Sequence, residues 1–186
     1  MIGFAMCGSF CTHKTALEQF NALLEKGYEV QPIVSENVYT TDTRFGKSED
    51  LIEKLEKLSG RKAIHSVVGA EPLGPVTPLE ALLICPCTGN TLAKMAQGIT
   101  DTSVTMAAKA HLRSDRPLIV ALASNDALSA NLKNIATMLT RKCVYFVPMA
   151  QDDPTQKPHS LVADFNLLYE TFRMAQQGIQ LQKLFI

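Results

Sequence analysis

Short apolar runs alternate along this chain with longer segments of helical period, and that alternation constrains the fold more than any other feature. The runs lie at Ile2 to Cys7, Tyr28 to Ser35, Ala63 to Val68, Ala81 to Cys85, Leu118 to Leu122 and Cys143 to Val147. Strands interleaved with helices are the pattern of a parallel sheet covered by helices. Leu17, Phe20 and Leu24 share one helical face that stops near Gly27, and Leu51, Ile52, Leu55 and Leu58 form a second stripe ending at Gly60. Leu92, Met95, Ala96 and Ile99, then Val104, Ala108 and His111, then Leu128, Leu132, Ile135 and Leu139 repeat the pattern. A last helix is expected to carry Val162, Phe165, Leu168, Tyr169 and Phe172, after the proline-broken loop "AQDDPTQKPHS". The expected fold is α/β: one Rossmann-like domain over residues 1–186, a doubly wound parallel sheet with helices on both faces.

Composition narrows the function. Lysine plus arginine balance aspartate plus glutamate at 18 each, so no basic surplus argues for nucleic acid or an anionic membrane. The apolar start "MIGFAMCGSFCTHK" has no basic leader, and no segment reaches the roughly 20 apolar residues of a membrane span. A cytoplasmic protein is expected. Five cysteines, an odd number beside an ample aliphatic core, read as reduced thiols rather than a disulfide framework.

In an open parallel sheet, ligands bind beyond the carboxyl ends of the strands, where strand order reverses. The informative residues follow strands here. "MCGSFCTHK" opens a helix, and small Gly8 and Ser9 let backbone amides and a hydroxyl approach a phosphate; a tight strand-to-helix turn is the plainer alternative. Ser35 ends the second run and reads either as a ligand contact or as a helix cap. "CPCTGNT" ends another run and sets Thr88, Asn90 and Thr91 at the mouth of the same cleft. Cys7, Cys11, Cys85 and Cys87 follow two strands, but their spacings are not those of structural zinc pairs. No metal is expected; buried thiols lining a pocket are the better reading, with Cys143 in the core.

The stretch "CPCTGNTLAKMAQGITDTSVTMAAKAHLRSDRPLIV" resembles the Pro-x-Ser/Thr-x-Asn-Thr motif and following helix of the flavoprotein superfamily. That superfamily contains the phosphopantothenoylcysteine decarboxylases, the cysteine decarboxylases of lantibiotic synthesis and the flavin prenyltransferases. "GFAMCGSF", "VQPIVSENV" and "RPLIVALASNDALSANLKNIATML" extend the resemblance over most of the chain. It implies bound FMN, held by Gly8, Ser9 and Phe10, by Ser35, by Cys87, Thr88 and Thr91, and by Ala123 and Ser124. Asn90 matches the asparagine the decarboxylases need, which makes it the catalytic candidate. Two departures oppose the well-known chemistries. Ala123, Ser124 and Asn125 replace the Arg-Glu-Thr of the prenyltransferases, and "LASNDALS" does not reproduce the Pro-x-Met-Asn-x-x-Met segment of the decarboxylases.

"MCGSFCTH", "CPCTGNTLAK", "LIVALASNDALSANLKNI" and "VPMAQDDPTQKPHSLVADF" are similar to one branch of this superfamily. Its members work beside a dehydrogenase-like chain that carries NAD(P), forming a pyridine dicarboxylate from a lysine-pathway precursor in the mother cell of a spore-forming bacterium. The resemblance implies an oxidoreductase component, an assembly of three or more copies, and cationic groups for a small dicarboxylate. Arg44, Lys47, Lys157 and His159 are the candidates for that contact, while His13 and His65 receive no role. The alternatives are an FMN-dependent decarboxylase or prenyltransferase, or a non-catalytic partner with a flavin fold.

Overall fold

The computed structural model describes residues 1–186. Strand β1 (Ile2–Met6) leads through a 3-10 turn (Phe10–Thr12) into α1 (His13–Glu25), followed by β2 (Val30–Val34), α2 (Glu36–Thr40), α3 (Ser48–Ser59) and α4 (Val67–Ala70). Next come β3 (Leu82–Cys87), α5 (Gly89–Gln97), α6 (Ser103–Leu112), β4 (Leu118–Ser124), α7 (Leu132–Leu139) and β5 (Val144–Phe146). The chain closes with β6 (Met149–Ala150), β7 (Leu161–Ala163), a second 3-10 turn (Phe165–Leu167) and α8 (Leu168–Ala175). No helix is long and apolar enough to cross a membrane.

Strands β2, β1, β3, β4 and β5 lie side by side and parallel in that order. Every residue of β1, β3 and β4 is buried, which is why these strands read as continuous apolar runs. Helices α1, α3 and α8 pack together on one face and α4 to α7 on the other. Phe4 of β1 and Phe20 of α1 meet edge to face at 5.3 Å inside one contiguous core. Gly60 and Gly98 end α3 and α5 at φ of 67° and 73°, a left-handed geometry that glycine adopts without a Cβ penalty. The chain moves outward from β1 to β2 and then crosses back to β3, so strand order reverses between β1 and β3. The doubly wound parallel sheet is therefore as expected.

Several details differ from the expectation: Cys143 is half-buried just before β5 and not in the core, and Ile99 lies exposed beyond the end of α5. Residues Ala63 to Val68 are not a strand: Ile64 makes a single bridge to Ile33, and the Ser66 hydroxyl then accepts from the Gly69 N–H at 3.1 Å, starting α4. A serine that satisfies a helix N–H competes with continued pairing. Val162 is not helical but lies in β7, which pairs antiparallel with the far end of β4 and carries β6 on its other side. Leu128 precedes α7 and belongs to a turn whose Ser129 and Asn131 N–H groups both donate to the Asp126 carbonyl.

His111, on the inner face of α6, is 1 % exposed. Its Nε2–H donates to the Pro117 carbonyl at 2.9 Å, while Nδ1 is enclosed without a partner. Burial lowers its pKa from the usual 6.5, outweighing the Pro117 hydrogen bond. Because the folded pKa lies below the unfolded one, stability is constant above pH 6.5 and falls as the pH drops from there toward the folded pKa. The slope from this one group is at most about 1.4 kcal/mol per pH unit. Urea midpoints followed from pH 8 to pH ~5 should show this loss, and His111→Gln should reduce it, leaving the part that His13, lowered likewise by burial, contributes. An unchanged slope in the variant would assign the loss to another group.

Candidate functional site

The reversal point is built from the turns after β1, β2 and β3. The Cys7 N–H donates to the Pro86 carbonyl at 3.1 Å and the Ser35 N–H to the Met6 carbonyl at 3.0 Å, so the three strand ends are stitched together. Side chains extend the stitching. Thr88 caps α5: its hydroxyl accepts from the Thr91 N–H at 3.2 Å and donates to the Thr91 hydroxyl at 3.1 Å. Thr91 passes its own hydrogen to the Cys7 sulfur at 3.3 Å. Across the turn, the His13 Nε2–H donates to the Cys7 carbonyl at 2.8 Å; burial lowers the His13 pKa and outweighs this hydrogen bond, which by itself favours the charged ring.

These bonds divide the expected cofactor residues into two sets. Ser35, Thr88 and Thr91 are engaged within the protein; Ser35 accepts from the Val38 N–H at 3.4 Å as the cap of α2, the second of its two readings. Cys87 is fully buried, with its Sγ directed to the Thr88 carbonyl. Ala123 and Ser124 lie buried in β4 opposite Val162 and Leu161. The groups left available are different ones. The Gly8 N–H donates to no protein acceptor, and the Ser9 hydroxyl makes no capping bond. The Asn90 side chain is exposed on the first turn of α5. Phe10 is half-buried beside His13, with ring centroids 5.1 Å apart. Two donors and a hydroxyl beside a half-buried aromatic ring suit a flavin, whose phosphate and ring edge need donors and whose faces need apolar contact.

Burial pushes the Cys7 thiol up to about 11 and the Cys85 and Cys87 thiols well above their usual range, so all three are neutral thiols. Cys11 is exposed on the 3-10 turn. No group of three or more His, Cys, Asp or Glu side chains is arranged to hold a metal ion.

The expected dicarboxylate contacts fall on two loops. Lys47 lines an open groove of about 520 Å³ between α1 and α3, together with Phe10, Lys14, Leu17, Phe45 and Lys54. The loop that closes this groove is held by Asp42, which accepts from the Ser48 N–H at 2.9 Å. Arg44 lies over the Phe45 ring, 4.8 Å from its centroid. Lys157 is bound to Asp152 at 2.6 Å, and His159 is exposed next to it on the loop before β7. The His159 carbonyl accepts from the Leu128 N–H at 2.9 Å, which ties that loop to the end of β4. His65 stacks on Tyr39 at 3.8 Å, on the other side of β2.

Sequence reasoning named Ser124 as a flavin contact but missed Asp126, Asn131 and Asn134, the polar cluster it joins after β4. Ser124 Oγ donates to Asp126 Oδ1 at 2.5 Å, Asn131 Nδ2 donates to the same oxygen at 2.9 Å, and Asn134 Nδ2 donates to Asn131 Oδ1 at 2.8 Å. Gly89, the first residue of α5, packs directly on this cluster. The signal was present in "SNDALSAN", a run of polar residues at a strand end, but nothing local directs it toward α5.

The comparisons agree with this geometry. The family description Flavoprotein matches residues 1–164. The B subunit of dipicolinate synthase from Bacillus subtilis (strain 168) is 43 % identical over 185 residues, covering 100 % of this chain and 92 % of the relative. The crystal structure of the corresponding dipicolinate synthase B subunit from Bacillus halodurans superposes with a TM-score of 0.91 at 43 % identity, covering 100 % of this chain and 95 % of that one. The FMN-dependent cysteine decarboxylase SpaF shares the fold alone, with a TM-score of 0.65 at 20 % identity over 95 % of this chain and 96 % of its own. The match of the family description over residues 1–164 and a full-length relative at 43 % identity, on a sheet whose strand order reverses between β1 and β3, establish that this chain belongs to the flavoprotein family.

Proposed function

We propose that this chain is the B-type, flavin-binding component of a dipicolinate synthase, a single flavoprotein domain that binds FMN and acts with a dehydrogenase-like partner carrying NAD(P). The reaction forms pyridine-2,6-dicarboxylate from a dihydro- or hydroxytetrahydro- precursor in the cytoplasm of a sporulating cell. The observation that supports this reading above the alternatives is the 43 % identity to a protein of that name along the whole chain. The departures at Ala123 to Asn125 weigh against prenyl transfer.

On this reading the Gly8 N–H and Ser9 hydroxyl hold the flavin phosphate at the start of α1, Phe10 covers part of the ligand, and Asn90 reaches the ring or a substrate carboxylate. Ser35, Thr88 and Thr91 keep the three turns in register. Bound flavin supplies a two-electron acceptor for a reduced nitrogen ring. Arg44 and Lys47 on one side, and Lys157 and His159 on the other, meet the two carboxylates of the substrate. Exposed Val68 and Val76, at 80 % and 76 %, supply apolar surface for a homo-oligomer.

The test is the visible absorption of the purified protein after incubation with FMN, followed by anaerobic addition of the precursor with and without the dehydrogenase-like partner. A stoichiometric flavin band that bleaches on addition supports hydride transfer at this chain. A band that persists while dipicolinate forms places the redox step on the partner. No retained flavin, with dipicolinate formed at full rate by the partner alone, would reduce this chain to a binding component.

A further inference from the structure

The Asp126 carboxylate is held in a manner its role as a loop tether does not use up. Both hydrogen bonds to the carboxylate, from Ser124 Oγ and Asn131 Nδ2, fall on Oδ1. Asn131 is itself fixed by Asn134, and both asparagines are buried, at 6 % and 5 % exposure. Oδ2 accepts nothing from the protein, and it is not among the enclosed polar atoms, so it is open to solvent. One oxygen is anchored by a buried network and the other is available, an arrangement that fixes the direction of a base.

Its position is equally specific. Asp126 follows β4 on the carboxyl side of the sheet, where ligands bind in this class of fold. Its Oδ1 would lie 2.9 Å from a Cβ placed on Gly89, so only the missing side chain of Gly89 separates it from the first turn of α5, where Asn90 is exposed. The loop before β7, which carries Lys157 and His159, is joined to the same segment through Leu128.

We propose that Asp126 is the general base that removes the ring proton as the substrate becomes aromatic. This rests on the dipicolinate reading above. The dihydropyridine dicarboxylate loses a hydride from a ring carbon to an oxidised two-electron carrier of the flavin or nicotinamide class. Its ring N–H or adjacent C–H bond breaks, the electron pair enters the aromatic ring, and the proton forms an O–H bond at Asp126 Oδ2. The products are the pyridine dicarboxylate, the reduced carrier and a neutral Asp126 that returns its proton to water. The Ser124 hydrogen bond, followed by that of Asn131, holds the carboxyl below its usual range, and no charged side chain of a neighbouring element contributes. The base is therefore ionised at neutral pH.

The test uses this chain assembled with its dehydrogenase-like partner, and Asp126→Asn, in which the amide oxygen still accepts from Ser124 and Asn131 while basicity is lost. The variant should keep the wild-type melting temperature and flavin content. Its kcat should fall about 10²- to 10⁴-fold, the effect typical of losing a general base. The acid limb of its pH profile should vanish, and its affinity for added dipicolinate should rise severalfold, because a negative charge near a dianion has been removed. Ser124→Ala provides the second variant. With one anchor gone, the acid limb should move to higher pH, which a merely structural role does not produce. Turnover of Asp126→Asn within about threefold of wild type, or an acid limb unmoved by Ser124→Ala, overturns the assignment while dipicolinate formation by the wild-type pair leaves the broader reading in place. No dipicolinate from the wild-type pair overturns both.

Discussion

Replacing Gly89 with alanine is expected to destabilise the protein by about 2–4 kcal/mol and to lower its retention of added flavin. At an ordinary helix start the change would help, since alanine is the better helix former by about 1 kcal/mol. Here the added Cβ would lie 2.4 Å from Ser124 Oγ, 2.6 Å from Asn131 Nδ2 and 2.9 Å from Asp126 Oδ1, each closer than Cβ atoms tolerate. The obstructing atoms are not flexible ends free to swing away. They are bonded to one another, with Ser124 and Asn131 both on Asp126 Oδ1. Either α5 moves off β4, which displaces Thr88 and Asn90, or buried Ser124 and Asn131 lose their partner. Leaving such groups unpaired costs about 1–3 kcal/mol each. Urea unfolding and flavin retention measured on the same preparation check the expectation. A variant as stable as wild type and fully loaded with flavin would show that the cluster yields without cost.

Phe4→Ala should cost about 3–5 kcal/mol, a large share of the roughly 5–15 kcal/mol that holds a domain of ordinary stability. Phe4 is 1 % exposed at the centre of β1, paired in register with Pro32 of β2 and Leu83 of β3. Its ring meets Phe20 of α1 at 88°, the edge-to-face contact that aromatic pairs favour. Truncation leaves a cavity between the strand and helix that flank the Cys7 to Phe10 turn, so it should loosen the flavin site as well as the fold. The difference in urea midpoint, with the slope of the transition held constant, gives the magnitude. A loss below about 1 kcal/mol would mean that the surrounding core collapses to fill the space.

Much of this architecture was legible because burial on both faces leaves a simple mark. β1, β3 and β4 lie where the apolar runs place them, although β3 and β4 continue further, to Cys87 and Ser124. The same mark misleads at Ala63 to Val68, where one bridge from Ile64 is all the pairing that forms before Ser66 caps a helix. Val162 sits three residues before Phe165 and so fits a helical stripe, yet it pairs with Ala123. Periodicity describes a segment's own geometry and is silent about a partner strand that returns across a loop.

The candidate site divides in the same way. The turns at Gly8, Ser35 and Thr88 to Thr91 could be placed at one end of the sheet from sequence, because each follows a strand and parallel strands end together. Which of their polar groups face a ligand could not. Thr88 and Thr91 read as ligand contacts, but their hydroxyls form a relay that ends on Cys7, 84 residues before Thr91. Asp126 lies in a polar run at a strand end, but nothing local shows that Gly89, the first residue of α5, would leave room beside it where β4 ends. By itself, the sequence determined the layers, the parallel sheet and the end at which the candidate site lies, since burial and turn chemistry act over a few residues. Only the tertiary structure decided which hydroxyls are tethers and which donors remain open, because a hydrogen-bonding group is committed by whatever polar atom folding brings within about 3 Å of it, however distant in the chain.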